Sequence, residues 1–174
     1  MNENETKKII NNIIDTIYKD LGENLLIPNN KLDELYKKWK SIVTKEFDKE
    51  IYTGHFDGSS KPNPGAMRIG GYIKNSSGII HEYSIGLGQG TNNEAEYKAF
   101  LKILSDAERL GITKIKLYGD SALVVNQVTG AWKCNNSRMQ QFRDQAQMIM
   151  SRFEFIEVHH VPRKQNSRAD KLTR

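Results

Sequence analysis

Residues 51–58 read IYTGHFDG and residues 114–121 read KIKLYGDS. Each is a short run rich in strand-forming residues that stops on an aspartate, Asp57 or Asp120, with a small residue after it. Runs of this length, bounded by turn residues, read as strands. IGGYIKN (69–75) and IIHEYSIG (79–86) read as two more, joined through the Asn75–Gly78 turn, a hairpin signal. Residues 92–110 read as a helix whose apolar stripe is Ala95, Ala99, Leu101, Leu104, Ala107 and Leu110, with Gly111 as its stop. Beyond Asp120 the pattern predicts a short helix from Ser121 to Val128, a helix over 136–152, a strand from Phe153 to His160 and a last helix from about Ser167. The order β-β-β-α-β-α-α-β-α implies an α/β domain, a mixed sheet with helices packed on it.

The first fifty residues have another texture. Ile9, Ile10, Ile13, Ile14, Ile17 and Leu21 recur at helical spacing, with Gly22 as a stop. Leu32, Leu35, Tyr36, Trp39, Ile42, Val43 and Phe47 repeat the period after a link containing Pro28, and Asn30 is placed to cap that second helix. The expectation is a helical hairpin over 1–49 and a separate domain over 50–174. No metal or nucleotide motif occurs in the hairpin.

Charge divides along the same line. The chain has 174 residues and a formal net charge of +5. Residues 1–50 carry nine lysines against ten acidic side chains, and residues 51–174 carry seventeen basic against eleven acidic. A basic excess confined to the second part suits a polyanionic partner, and equally a solvated surface. The single cysteine, Cys134, excludes an internal disulfide and fits a reducing compartment. No run approaches the roughly 20 apolar residues of a membrane span, and the start MNENETKK lacks the pattern of a secretory signal. A cytoplasmic protein without membrane contact is expected.

Four carboxylates stand out. Asp57 is expected at a strand end before the tight SSKPNPG loop, and Asp120 at the end of a buried strand. Glu96 falls in the first turns of the 92–110 helix, and Asp170 in the last helix. A charge closing a buried strand is costly unless paired. Two carboxylates on neighbouring strands repel, and a hard divalent cation relieves that. The alternative is that each acid is separately a cap or turn residue.

The segments around these acids resemble the type 1 ribonuclease H family. DGSSKPNPG (57–65), TNNEAEY (91–97), YGDS (118–121) and HVPRKQN (160–166) followed by Ala169–Asp170 are similar to its four catalytic segments, in the family order, over about residues 50–174. The resemblance implies a ribonuclease H-like fold, a five-stranded mixed sheet with helices on both faces. It implies hydrolysis of the RNA strand of RNA–DNA hybrids, leaving 5′-phosphate ends. Asp57, Glu96 (rather than Glu94), Asp120 and Asp170 would hold two Mg²⁺ ions, typically about 3.5–4 Å apart, and Mn²⁺ would substitute. His160 would assist proton transfer or product release, with Arg163 as the alternative in a VPR-type loop; His159 beside it competes for the strand face. Gly58, Ser59, Asn63, Asn92, Asn93 and Ser121 would contact the RNA strand, whose 2′-hydroxyls distinguish it. Asn92 and Asn93 could instead cap their helix. Trp132 would stack on a DNA sugar or anchor the core between two helices.

Two departures from the family pattern carry expectations. Ala122 stands where some members have a glutamine that touches substrate, and residues 131–138, AWKCNNSR, are too short for a basic protrusion. Only Lys171 to Arg174 follow Asp170, so a frayed final helix with loose ligation is expected. The hairpin lacks the glycine and aromatic pattern of the family's small hybrid-binding domain. A lysine face (Lys37, Lys38, Lys40, Lys45) is the one polyanion-binding feature it could offer. Protein contacts or packing on the catalytic domain are expected of it, in a monomer. Three other readings compete: an idle hybrid-binding scaffold, a resolvase- or integrase-like nuclease, and a purely structural domain.

Overall fold

A computed structural model describes the backbone of residues 3–24, 29–47 and 50–174, and side chains over 8–21, 30–42 and 50–174. The chain divides into two compact units, Met1–Lys49 and Glu50–Arg174.

The first unit contains α1 (Glu3–Asn24) and α2 (Asn29–Phe47). Their seam is more polar than the isoleucine period suggests. Ile14 and Leu32 are buried, but Ile9, Ile13, Ile17, Leu35, Trp39 and Ile42 are exposed. Tyr18 packs on Tyr36 with ring centroids 4.5 Å apart. Tyr36 donates to Asp15 at 2.9 Å, and Tyr18 donates to Asp33. Lys40 is drawn into this seam, 2.8 Å from Asp15, so it does not belong to a free lysine face. Asn30 is the second residue of α2 and accepts from the adjacent Lys31 N–H. The Pro28 link and the Lys45 side chain lie outside the described residues.

The second unit is a five-stranded sheet of order β3-β2-β1-β4-β5. Its strands are β1 (Tyr52–Lys61), β2 (Gly65–Asn75), β3 (Gly78–Gly90), β4 (Lys114–Gly119) and β5 (Phe155–His160). β1, β2 and β3 form an antiparallel meander, whereas β1–β4 and β4–β5 pair parallel. The helices are α3 (Asn92–Arg109), α4 (Ala122–Val128), α5 (Ser137–Met150) and α6 (Ser167–Leu172), the last entered through a 3-10 turn at Arg163–Asn166.

Alternation along β1 shows that both faces are covered. A Cβ at Gly54 or Gly58 would strike α3, at Ile103 or at Ala95 and Glu96. Phe56, between them in alternation, packs against Phe100 of α3. The intervening residues face the C-terminal segment: His55 meets Asn166, while Asp57 and Ser59 meet Thr173. The α3 face holds the main core, with Phe56, Tyr97, Phe100, Ile103, Leu104, Ile115 and Leu117 fully buried. Cys134 is buried there as a small apolar residue. Among the described residues, no helix is long and apolar enough to cross a membrane.

The three strands of the meander all run longer than expected, β2 from Gly65 and β3 to Gly90, and the extension of β1 matters most. β1 does not end at Asp57 but pairs with β2 as far as Lys61↔Ala66. Its pairing with β4, by contrast, ends at His55↔Tyr118. Asp57 therefore sits mid-strand, at the point where β1 parts from β4. The reversal comes later, at Pro62–Pro64. Gly65 must come close to the backbone of Pro62, where a Cβ would clash.

Candidate active site

The parting of two parallel strands beyond their carboxyl ends opens a crevice, the usual place for a site in such sheets. Asp57 enters it from β1, Asp120 follows β4, and Glu96 comes from the second turn of α3. Each offers a carboxylate oxygen, and the three oxygens lie within 4.8 Å of one another. Gly58 makes this possible, because α3 lies directly on its backbone. Asp57, Gly58, Ser59, Ser60, Lys61, Asn92, Glu96, Asp120 and Arg163 line one cleft.

The cluster is electrostatically costly as it stands. Asp57 is only 5% exposed. Burial pushes its carboxyl up to about 7, against a hydrogen bond from Thr173 and with further upward pressure from Asp120 and Asp170. Burial also drives Glu96 well above the ordinary carboxylate range, with Asp57 and Asp120 adding to it. Glu96 Oε2 is buried with no hydrogen-bond partner. A buried acceptor left unpaired costs about 1–3 kcal/mol. An oxygen-only donor set of this kind fits a hard divalent cation and not a softer metal.

Glu94 has different work. It forms a capping box with Thr91, whose backbone N–H donates to it at 2.7 Å and whose hydroxyl accepts from the Glu94 N–H. Arg138 also pairs with it, at 2.5 Å. The helix cap is thus Thr91, not Asn92 or Asn93. Asn92 instead ties the end of β1 to α3: its Oδ1 accepts from Ser60 N–H at 2.6 Å, and its own N–H donates to Asn63 Oδ1 at 3.0 Å. Asn93 is exposed. Ser121 caps α4, accepting from Val124 N–H.

Asp170 is neither frayed nor among the three clustered acids. It is 4% exposed on a helix docked against the sheet. Arg163 holds one of its oxygens and Arg174 the other. Burial pushes its carboxyl up, but these two arginines outweigh that and leave it below its ordinary value. The adjoining backbone is anchored as well: Ser59 donates to Thr173 O at 3.0 Å and Ser84 to Leu172 O at 2.6 Å. Thr173 donates to Asp57 Oδ2 at 2.6 Å, linking the fourth acid to the first.

The two histidines separate clearly. His159 lies 2.9 Å from Glu157 and stacks on Tyr118. His160 takes the opposite alternation and is exposed where β5 ends. Trp132 is 51% exposed in the α4–α5 link, so it does not anchor the core.

Three contributors were not singled out from the sequence: Thr173, Arg174 and Asn166. Asn166 is 1% exposed and donates to Phe56 O at 2.8 Å and to Asp120 Oδ1 at 3.3 Å. An asparagine within the fourth motif was the available signal. Thr173 and Arg174 carry none outside three-dimensional contact.

Comparison with known proteins agrees with this geometry. The family model described as reverse transcriptase-like matches residues 55–174. Ribonuclease HI of Halobacterium salinarum is 40% identical over 119 residues, 68% of this chain and 60% of that protein's length. The crystal structure of RNase H1 from the same archaeon superposes with a TM-score of 0.68 at 38% identity, covering 71% of this chain and 94% of that one. LC11-RNase H1 in complex with RNA/DNA hybrid gives a TM-score of 0.66 at 30% identity, covering 70% and 93%. With its five-stranded mixed sheet, its acidic cluster and these likenesses together, the chain belongs to the type 1 ribonuclease H family.

Proposed function

We propose that this protein is an endoribonuclease that hydrolyses the RNA strand of RNA–DNA hybrids, with Mg²⁺ as cofactor and 5′-phosphate ends on the product. The observation that carries the reading is the convergence of Asp57, Glu96 and Asp120 on one point, with Glu96 Oε2 buried and unpartnered. A similar enzyme, LC11-RNase H1, has been solved with an RNA/DNA hybrid.

Asp57, Glu96 and Asp120 would hold the metal, with Asp170 as the fourth ligand once Arg163 or Arg174 yields an oxygen. Held there, divalent ions would supply Lewis-acid chemistry for the attacking water and the leaving 3′-oxygen. The chain's own residues prepare for that charge. Thr173 fixes Asp57 Oδ2, and Asn166 fixes Asp120 Oδ1. Exposed His160 is the residue proposed to move protons, since an imidazole nitrogen can both accept and donate one.

Substrate contacts follow from what is already committed. The amide oxygens of Asn63 and Asn92 are occupied, which leaves their NH₂ groups as donors to 2′-hydroxyls. Gly58, Ser59, Asn93 and Ser121 complete the proposed RNA-strand surface. Exposed Trp132 offers a ring to the DNA strand. The lone thiol of Cys134 suits a reducing cytoplasm, and the proposed state is a monomer with the hairpin as a protein-contact element.

The test is a panel of labelled RNA–DNA hybrid, duplex RNA, duplex DNA and four-way junction, incubated with the full chain in Mg²⁺ or EDTA. Metal-dependent cleavage of the hybrid's RNA strand alone supports the reading. Cleavage of duplex DNA or junctions with the hybrid intact overturns it.

A further inference from the structure

Asn166 is a buried amide with every polar atom engaged. Its NH₂ group is committed to Phe56 O and Asp120 Oδ1. Its Oδ1 therefore faces the remaining neighbour, His55 Nδ1, at 3.2 Å. An amide oxygen only accepts, so the ring must carry its proton at Nδ1. His55 is itself held in place. It stands in register between Tyr72 of β2 and Tyr118 of β4. Its ring stacks on both, with centroids 4.8 and 5.1 Å apart and planes inclined by 8° and 22°.

We propose that His55 is a positioning residue for Asp120, acting through Asn166. The stack fixes the imidazole plane, its Nδ1–H fixes the amide, and the amide donor orients the carboxylate. Removing the ring donor leaves a buried amide oxygen unsatisfied, and the amide then turns away from Asp120. The inference rests on the reading of Asp120 as a divalent-cation ligand. Partners that orient metal ligands are worth about 10–100-fold in metal affinity. Acting one residue further out, His55 is expected near the lower end, about tenfold.

Two variants of the full chain separate this role from packing. His55→Phe keeps a flat ring between the tyrosines and removes the donor. His55→Asn keeps an N–H donor at the same number of bonds from the backbone and removes the stack. The readouts are Mg²⁺ affinity by calorimetry and melting temperature in EDTA. The relay predicts that His55→Phe binds Mg²⁺ about tenfold more weakly, with a melting temperature lowered only by the cost of one unsatisfied amide oxygen. His55→Asn melts lower but stays within about twofold of the original affinity. The opposite ranking of affinities overturns the relay and leaves His55 as packing alone.

Nitrogen NMR of the wild-type imidazole at pH 8 is independent of how either variant folds. A proton on Nδ1 supports the relay, and a proton on Nε2 overturns it. Failure of the wild type to bind Mg²⁺ would overturn the metal reading of the site and the relay with it. Binding by the wild type with His55→Phe unaffected would overturn the relay alone.

Discussion

Burial raises the carboxyls of Asp57 and Glu96, and the neighbouring acids add to it, so without metal the folded protein should lose stability as pH rises. Asp57 has an ordinary value of 3.8 and a folded value of about 7. Below about pH 4 its carboxyl carries a proton in both states and costs nothing. Between 4 and 7 the unfolded chain ionises while the folded one keeps its proton, and stability falls. Above 7 both are ionised and the loss is complete. A gap of about three units at 1.36 kcal/mol per unit amounts to on the order of 4 kcal/mol, and Glu96 adds in the same direction. Between pH 5 and 7 about 2.7 kcal/mol of this is lost, a fall of roughly 5–11 °C in melting temperature at about 2–4 °C per kcal/mol. The groups shifted the other way, Asp106, Glu94, Glu157 and Asp170, act at lower pH. They leave the 5–8 window to the cluster and to His55, whose imidazole is lowered by burial and which offsets part of the fall with the opposite sign. The assay is thermal unfolding in EDTA at pH 5, 6, 7 and 8, repeated with saturating Mg²⁺. The metal-free melting temperature should fall across that range. Mg²⁺, which binds the ionised cluster, should flatten or reverse the slope, adding about 2.7 kcal/mol at 100 times its Kd. Asp57→Asn should make the metal-free slope shallower, with Glu96 keeping the remainder. A metal-free melting temperature that is constant or rises from pH 5 to 8 would refute the electrostatic account of the cleft.

Three further predictions follow from the site's construction. Gly58→Ala forces a methyl into the backbone of Ala95 and Glu96; it should destabilise by about 1–3 kcal/mol and weaken Mg²⁺ binding, seen by chemical unfolding and calorimetry. Glu94→Gln and Glu96→Gln should behave oppositely. The first keeps metal binding and loses only the charge that pairs with Arg138, since glutamine also completes a capping box, whereas the second loses metal binding while melting in EDTA at least as high as the wild type. His160→Ala should lower kcat by about 100-fold with unchanged melting. Arg163→Ala should instead free an oxygen of Asp170 and shift stability, and a kcat loss confined to Arg163→Ala would assign the auxiliary role to Arg163, as a charge that aids product release and not as a proton carrier.

The sequence made the element order and the clustered acids legible because both rest on local signals. Buried runs ending in aspartate marked β1 and β4, and the four motifs separated Glu96 from Glu94. A second signal was present for that choice: Thr91 followed three residues later by Glu94 is a capping-box pattern. The length of β1 was misjudged because Asp57–Gly58 looks like a turn. What keeps the chain extended there is pairing with β2, through Ser60↔Met67 and Lys61↔Ala66. Ser60 is buried because its hydroxyl bonds Gly90 O at 2.7 Å, a partner thirty residues away. Asp170 was misjudged for a similar reason. Its order comes from Arg163, Arg174 and the Thr173–Asp57 bond, and only the folded chain brings these together. In the hairpin, the isoleucine period located α1 but neither its end, since the helix runs past Gly22 to Asn24, nor its buried face, because tyrosines, aspartates and Lys40 occupy much of the seam.

The most direct test of the central claim is strand-resolved cleavage of one RNA–DNA hybrid, labelled on each strand in turn, by the wild type and by Asp120→Asn in Mg²⁺. The account predicts RNA-strand cuts with 5′-phosphate ends by the wild type and none by Asp120→Asn, with the DNA strand intact in both. Equal cleavage by the two proteins, or a wild type that leaves the RNA strand whole, would contradict it.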